Sequence, residues 1–356
     1  MSTLTRESTA AARDLPLANL LMTDSVVAGF WRVEDGAERP WFERFHAGGL
    51  SAINITHARP YCGIAEAMAS LSRFKKWFRV HGDLITQVYT ADDIVRAQRE
   101  SRVGIILGWQ DSTGFDDCLH HVATLRELGL GVVQLTYNTA NAVGSGCFES
   151  RDGGLTDFGH ELVAEMNRVG MAIDLSHCGR ETTRQTILAS KRPVMYSHVA
   201  PNALRKFERN KTDEELRFLA DHGGYIGVSL HPPFLRRGND STLDDFVDLV
   251  EYTVKIAGED QVGIGTDFVA GPPIDEALWT KLIRDKHHAR MLTDVVMTEL
   301  RYPPGFEGMS GFGRIAQTML DRRWPEQRVR KLMGENFVKF LRQAWKSETG
   351  AMPWTR

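Results

Sequence analysis

The sequence predicts a (β/α)8 TIM barrel, an α/β fold in which eight parallel strands alternate with helices. Three observations support this fold class. Eight short apolar runs recur along the chain, amphipathic helical runs lie between several of them, and polar residues follow the ends of several apolar runs. Continuous apolar strands are typical of a sheet that is buried on both faces. In a parallel barrel, the carboxyl ends of the strands are where the chemistry is placed.

The eight predicted strands are short and rich in Val, Ile and Leu, as buried parallel strands require. They cover residues 20–28, 50–56, 103–109, 131–137, 171–176, 193–197, 224–230 and 261–266. A regular succession of strand and helix favours βαβ units over an antiparallel sandwich.

Helices are predicted over residues 116–128, 156–169, 212–222 and 242–257. The first, second and third end at or before glycines, and acidic residues near their starts complement the helix dipole. The third opens T-D-E-E, which is a capping-box pattern. The fourth is strongly amphipathic, as expected of a helix that packs on a barrel.

The 356 residues suit one barrel with insertions, so we expect a single domain over 1–356. The stretch 268–310 follows the eighth strand and contains G-P-P, a charged run and Y-P-P-G-F. A long segment on the active-site face of a barrel predicts a lid or a pocket wall.

The composition limits the kinds of binding partner that we expect for this chain. The formal net charge is −3, which gives no basic footprint for nucleic acid, so we expect a small-molecule substrate. No apolar run approaches the length of a spanning helix, and neither terminus resembles a signal or anchor. The four cysteines include no C-x-x-C pair, which is typical of a reduced, cytoplasmic protein. A homodimer is the expected assembly, because many barrel enzymes form dimers.

Three polar residues follow predicted strands directly: His177 in D-L-S-H, His198 in V-M-Y-S-H and Asp267 in V-G-I-G-T-D. Neutral imidazole is a good zinc ligand, so two histidines on successive strands predict a shared ion. Asp267 would be a general base or a further ligand. Structural histidines and a helix N-cap aspartate are the alternatives.

Further candidates lie near other strand ends. Arg209 and Asn210 occur in R-N-K-T-D-E-E shortly after His198, and a loop arginine can hold a substrate carboxylate. A solvated charge run is the alternative. His57 follows the second strand and is either a third ligand or a polar residue without a metal. His231 follows the seventh strand and is expected to line the substrate pocket.

Several of these segments together resemble the renal (membrane) dipeptidase family of the amidohydrolase superfamily. The matching segments are L-T-Y-N, F-G-H-E-L-V-A-E-M-N-R-V-G-M-A-I-D-L-S-H, R-P-V-M-Y-S-H, R-N-K-T-D-E-E, V-G-I-G-T-D-F and the closing helix G-E-N-F-V-K-F-L. The resemblance implies a TIM-barrel metallopeptidase with two zinc ions bridged by a glutamate. It implies that His177 and His198 bind one metal, that Asp267 handles the catalytic proton and that Arg209 lies near the substrate carboxylate.

The chain also departs from the family pattern. In T-D-S-V-V-A-G, Asp24 is kept, but Val26 and Ala28 stand where the family has a His-x-Asp ligand pair. Gln110 stands where the bridging glutamate is usual, and an amide is a weaker, neutral ligand. Tyr137 in L-T-Y-N replaces a histidine that is thought to contact the substrate.

The sequence therefore predicts a dipeptidase-like hydrolase of a dipeptide or a small N-acyl amino acid, with at most one divalent ion, Zn²⁺ in the first instance. His177 and His198 are its expected ligands, and His57, Gln110 and Asp24 are further metal candidates. Two alternatives stay open. One is a lyase, isomerase or other hydrolase that acts on a small carboxylate, and the other is a non-catalytic binding protein.

Overall fold

The computed structural model describes residues 20–273, 277 and 299–348. Of the predicted insertion at 268–310, the stretches 274–276 and 278–298 therefore lie outside the described residues. The insertion as a lid and the single domain over 1–356 stay predictions.

Within the described residues, one ten-stranded sheet forms the barrel, and every pairing between its strands is parallel. The strands are β1 (Thr23–Ala28), β2 (Ala52–Thr56), β3 (Ile85–Gln87), β4 (Val103–Trp109), β5 (Leu130–Gln134), β6 (Ala172–Asp174), β7 (Met195–Val199), β8 (Tyr225–Val228), β9 (Val262–Ile264) and β10 (Phe268–Val269). The order β10-β1-β2-β4-β5-β6-β7-β8-β9 is the order of a closed barrel, and it confirms the predicted fold class.

The barrel closes through an interrupted last strand. β9 pairs with β8, and β10 pairs with β1 at the register Val27↔Phe268. Inside the barrel, the Ser25 hydroxyl lies 2.6 Å from the Ser197 carbonyl and 2.9 Å from the Ile264 carbonyl, so it joins β1 to β7 and β9. The predicted strand 261–266 thus ends at Ile264 as β9, β10 lies beyond its predicted end, and Asp267 lies in the gap between β9 and β10.

β3 was not predicted from the sequence. It has three residues and pairs with the first half of β4, while β5 pairs with the second half of β4. A three-residue strand is too short to give a periodic pattern. Its position therefore depends on β4 and cannot be read from its own residues.

The helices lie outside the sheet, and the four predicted ones are all present. They are α1 (Arg39–Ala47), α2 (Ile64–Val80), α3 (Ala91–Arg99), α4 (His120–Glu127), α5 (Asp157–Val169), α6 (Arg180–Ala189), α7 (Asp213–Asp221), α8 (Leu243–Ala257), α9 (Gly313–Asp321), α10 (Glu326–Arg330) and α11 (Asn336–Ala344). Thr212 forms the predicted capping box with Glu215 at the start of α7. The helix predicted over 116–128 begins later, because Asp116 and Asp117 adopt left-handed backbone angles.

The C-terminal helix closes the amino end of the barrel. The Phe337 ring of α11 lies 5.0 Å from the Tyr225 ring of β8, and the Asn336 amide donates to the carbonyl of Val262 in β9 at 2.8 Å. The segment G-E-N-F-V-K-F-L is helical, as predicted, and α11 is the last helix of the described residues. The candidate residues at the carboxyl ends of the strands therefore lie at the end of the barrel opposite α11.

Candidate active site

The imidazoles of His177 and His198 meet at the carboxyl ends of β6 and β7. Their Nε2 atoms are 2.9 Å apart, and both side chains are buried. The pairing follows from the chain, because each histidine comes at or after the end of one of two neighbouring strands. Two imidazole nitrogens at this separation face one common point.

The other nitrogen of each ring is held by a hydrogen bond. His177 Nδ1 lies 2.6 Å from Asn138 Oδ1, and His198 Nδ1 lies 2.7 Å from Ser197 Oγ. Ser197 in turn donates to Asp174 Oδ2 at 2.5 Å. Such contacts fix the orientation of an imidazole and leave its Nε2 for a ligand, as is usual behind metal-binding histidines.

Asp267 lies beside this pair, in the gap between β9 and β10. Its Oδ2 is 4.0 Å from His198 Nε2, and its backbone φ is +54°. This left-handed conformation is uncommon for a residue other than glycine and is often found at functional sites. It turns the chain, so that the Asp267 side chain faces the histidines while Asp267 N bonds to the Val26 carbonyl at 3.2 Å.

Asp24, on β1, supports the strained turn at Asp267. Its carboxylate accepts from the Thr266 backbone N–H at 2.9 Å, from the Thr266 hydroxyl at 2.5 Å and from the Val26 N–H at 3.1 Å. Asp24 is fully buried. It therefore holds Thr266, the residue that precedes Asp267, and these hydrogen bonds engage both of its carboxylate oxygens.

Burial is the main influence on the pKa values of Asp267 and His198. It raises the pKa of Asp267 to about 7, against the attraction of Arg209, and the negative charges of Asp24 and Asp174 add to the increase. Burial also holds the pKa of His198 well below its usual range, and the neighbouring Arg209 charge acts in the same direction. A carboxyl group that titrates near neutral pH beside a neutral imidazole suits acid–base catalysis.

Arg209 lies on the loop after β7 and is buried. Its Nη2 donates to the His198 carbonyl at 2.8 Å, and its guanidinium lies 5.4 Å from the Phe234 ring. Its Nε and Nη1 have no hydrogen-bond partner. Two buried N–H groups without an acceptor point to an anionic ligand at this position.

Tyr137 covers the imidazole pair. Its ring stacks on His177 with the ring centres 4.2 Å apart, and its carbonyl accepts from the Tyr61 hydroxyl. The predicted strand 131–137 ends at Gln134, since Asn138 adopts a left-handed φ of +62°. Tyr137 therefore lies in a loop that bends over the site.

The ends of β1, β2 and β4 differ from this arrangement. Val26 is buried and apolar, and the Gln110 side chain donates to the Thr56 hydroxyl at 2.9 Å. The His57 ring is buried against Trp109, 5.6 Å away, and the Arg73 charge of α2 acts on it. These contacts place the His57 ring beside Trp109 and toward α2.

His231 and Asn210 lie close to Arg209. The His231 ring is 5.2 Å from the Phe234 ring and hydrogen-bonds to the Asp267 backbone. Asn210 donates to the Arg205 carbonyl at 2.8 Å and to the Phe234 carbonyl at 3.5 Å. The structure thus gathers two groups: His177, His198 and Asp267 in one, and Arg209, Asn210 and His231 in the other.

Comparison with known proteins identifies the family. The family model of the membrane dipeptidases, peptidase family M19, matches residues 46–297. This chain belongs to that family. The resemblance inferred from the sequence motifs is thereby confirmed.

Solved structures give the same fold for this dipeptidase-family chain. A crystal structure of an amidohydrolase from Pseudomonas aeruginosa superposes with a TM-score of 0.86 and 41% identity, over 95% of this chain and 99% of that one. The probable dipeptidase PvdM of the same organism gives a TM-score of 0.77 at 19% identity, over 96% and 99% of the two chains. The second likeness speaks for the fold alone.

A curated relative is described as an uncharacterized dipeptidase from Schizosaccharomyces pombe. It is 34% identical over 185 residues, which are 50% of this chain and 44% of the relative. The match thus spans less than half of the relative's length. Its activity therefore comes to this chain as a proposal.

Several supporting residues of this dipeptidase-family site were missed by the reading of the sequence. Asn138, Ser197 and Asp174 orient the histidines, and Thr266 supports Asp267. A signal was available, because D-L-S-H, Y-S-H and L-T-Y-N each place a second polar residue near the strand end. Which of these contacts which ring depends on the folding of the strands into one barrel.

Proposed function

We propose that this chain is a dipeptidase-like hydrolase that cleaves the amide bond of a dipeptide or a small N-acyl amino acid with the help of one divalent ion, Zn²⁺ in the first instance. One observation carries the proposal. The Nε2 atoms of His177 and His198 lie 2.9 Å apart, with Asp267 Oδ2 4.0 Å from His198 Nε2.

In this proposal the site holds one ion, with His177 and His198 as its protein ligands. Each Nδ1 is oriented by a hydrogen bond, which leaves both Nε2 atoms to ligate. Within the described residues, no third His, Cys, Asp or Glu completes a metal-binding group, so water and substrate would fill the remaining positions. Val26 and Ala28 offer no donor atom for a second ion. When bound, the ion would supply Lewis-acid polarisation of the amide carbonyl or of a water.

Asp267 is the proton-transfer group in this proposal. Its carboxylate takes a proton from the attacking water and returns one to the leaving nitrogen, and its burial, which raises its pKa, helps it hold that proton between the two steps. Its fixed backbone conformation keeps the carboxyl group beside His198. The neutral His198 has no proton at the nitrogen that faces a ligand.

Arg209 is the substrate anchor. Its unpartnered Nε and Nη1 present two donors, as a carboxylate requires. Burial of this guanidinium beside Phe234 strengthens its attraction for an anion, because little water screens it. The substrate is therefore expected to carry a free carboxylate at the leaving side of the amide. Tyr137, which stacks on His177, would form another wall of the substrate pocket.

The test is metal analysis joined to activity. Protein purified without chelator should contain one divalent ion per chain, and His198→Ala should lose both the ion and amide hydrolysis. His57→Phe is the matched control, since His57 is also a buried histidine at a strand end, but its ring packs on Trp109. It should keep the ion. A metal-free protein with chelator-resistant hydrolysis would overturn the proposal.

A second candidate function has one observation in its favour. If His198 carries its proton on Nε2 and accepts at Nδ1 from the Ser197 hydroxyl, the 2.9 Å contact between the two Nε2 atoms is a direct hydrogen bond between two neutral imidazoles, with no ion between them. In that arrangement Asp267 and Arg209 would serve proton transfer on a small carboxylate, as in a lyase or isomerase. Turnover of such an acid that depends on Asp267, with no cleavage of any amide in a panel, would decide for it.

Location and assembly are proposals of a coarser kind. No helix among the described residues is long and apolar enough to cross a membrane. All four cysteines are free thiols, which fits a reducing cytoplasm. The homodimer is expected from the fold class, and light scattering of the purified chain checks it.

A further inference from the structure

Three side chains around Phe234 carry buried polar atoms without a hydrogen-bond partner. The atoms are Arg209 Nε and Nη1, Asn210 Oδ1 and His231 Nδ1. Arg209 and His231 contact the Phe234 ring at 5.4 Å and 5.2 Å, and Asn210 reaches the Phe234 carbonyl at 3.5 Å. The set therefore lies in one place, on the loops after β7 and β8.

The tautomer of His231 follows from its contacts. The ring hydrogen-bonds to the backbone of Asp267, and that bond favours the ring as the donor. Because Nδ1 has no partner, the donor is Nε2–H. A neutral imidazole that donates from Nε2 has a lone pair on Nδ1. His231 Nδ1 is thus a buried acceptor that lacks a donor.

The unsatisfied atoms define what would complement them. Arg209 presents two donors and needs an anion with two acceptor oxygens. His231 Nδ1, like Asn210 Oδ1, needs an N–H or O–H. A buried acceptor left without a donor costs free energy, so a ligand that supplies both groups binds preferentially. A carboxylate with a neighbouring N–H, as in an acylated α-amino acid, has this pattern.

We propose that His231 Nδ1 accepts a hydrogen bond from the amide N–H of the substrate while Arg209 holds the adjacent carboxylate. The inference rests on the proposed function and narrows its substrate class to secondary amides of α-amino acids. Esters and N-alkylated amides, which lack the N–H, are then poor ligands. His231 is a specificity-determining residue in this scheme.

The size of the effect follows from leaving the acceptor unpaired. A ligand without the N–H is expected to bind on the order of 10-fold more weakly. Part of that loss arises because such a ligand excludes water from His231 Nδ1 and offers no donor in its place. A site built to bond a substrate N–H rejects the analogue that lacks it more strongly than an apolar pocket rejects a missing methylene.

The experiment measures binding without catalysis. N-(methylsulfonyl)alanine is not an amide substrate and keeps the carboxylate and the N–H. 2-Methyl-3-(methylsulfonyl)propanoic acid has a CH₂ in place of that N–H and is otherwise the same. Calorimetric titration of both enantiomers of each into the wild-type protein should show the tighter binding of the N–H compound.

Two variants separate the two nitrogens of His231. His231→Gln places an amide N–H near the position of Nε2 and removes the acceptor at Nδ1, so the preference should fall to about 1-fold, since the acceptor is gone. His231→Asn places an amide oxygen near the position of Nδ1, so the preference should remain. Equal metal content in all three proteins excludes an effect through the ion.

Each outcome decides. Equal affinity of the two compounds for the wild type, no measurable binding of either, or an unchanged preference in folded His231→Gln overturns the inference. Should His231→Gln not fold, His231→Ala, which also removes the acceptor, takes its place and should show the same loss of preference. The two proposals can fail separately. Absence of amide hydrolysis together with a retained preference for the N–H compound would contradict the hydrolase and leave this binding mode standing.

Discussion

The two sides of the barrel mouth differ in how their polar groups are connected. At the ends of β6 and β7, His177 and His198 are held by hydrogen bonds with Asn138 and Ser197, and after β9 the Asp267 backbone N–H donates to the Val26 carbonyl. At the ends of β1, β2 and β4, Val26 is apolar and the Gln110 amide donates to the neutral Thr56 hydroxyl. The difference comes from the side chains that the strands present and from the left-handed backbone turn at Asp267, which directs its carboxylate toward the histidines.

The comparison teaches where the chemistry of this chain is concentrated. A second ion needs carboxylates or imidazoles on the β1 and β4 side, and the family resemblance places Val26, Ala28 and Gln110 there. A neutral amide and two alkyl side chains do not compensate the charge of a dication. The β6, β7 and β9 side would have to carry catalysis by itself.

The largest expected effect is on Asp267. Asp267→Asn keeps the shape but cannot accept a proton, so turnover should fall by about 10²- to 10⁴-fold. Thermal unfolding and metal content should change little. A steady-state assay of amide cleavage measures the effect, and unchanged turnover would move the catalytic role away from this side of the mouth.

Asp24 links the two sides, because it lies on β1 and supports the turn before Asp267. Its pKa is raised by burial from 3.8 to about 7, so the folded protein binds a proton that the unfolded chain releases. Stability from this group is complete below about pH 4 and is lost as the pH rises through 7. The whole span corresponds to on the order of 4 kcal/mol.

Asp24→Asn should therefore flatten the dependence of unfolding free energy on pH between about 4 and 8. Urea unfolding at several pH values measures it. The variant also loses the acceptor for the Thr266 hydroxyl, which lowers stability at every pH and leaves the slope as the diagnostic. A slope equal to that of the wild type would show that Asp24 does not titrate in this range.

Gln110→Glu tests whether the β4 side accepts a charge. The new carboxylate would be buried and would lose the amide donor to Thr56, so stability should fall by about 1–3 kcal/mol. Metal content should stay at one ion, because Val26 and Ala28 still provide no ligand. Gln134→Glu, also buried, is the control for a generic buried charge. A gain to two ions per chain would show that the β1 and β4 side of the barrel mouth can also bind metal.

The smallest effect is expected at Tyr61. Tyr61→Phe removes the donor to the Tyr137 carbonyl and should cost about 1 kcal/mol of stability, because Tyr61 is only half-buried. Substrate affinity should weaken a few-fold as Tyr137 loosens over His177. Tyr89→Phe, a half-buried tyrosine outside the site, should lose stability without this change in affinity.

Much of the fold was readable in the sequence, since buried parallel strands are continuous apolar runs and glycines end the helices between them. The final helix and the capping box of α7 were predicted for the same local reasons. The gap between β9 and β10 was not predicted. The turn at Asp267, which lies in that gap, depends on Asp24, more than 200 residues away in sequence. Long-range hydrogen bonds leave no local periodicity.

The sequence by itself determined the barrel, the family and the polar residues that reach its mouth, because strand period and motif order are local properties. Tertiary structure decided which of them meet. It brings His177 to His198, turns the His57 ring toward Trp109, and gathers Arg209 and His231 around Phe234. The reason is geometric: neighbours across a closed barrel are set by strand register and by long-range hydrogen bonds, and neither is written in any single segment of the chain.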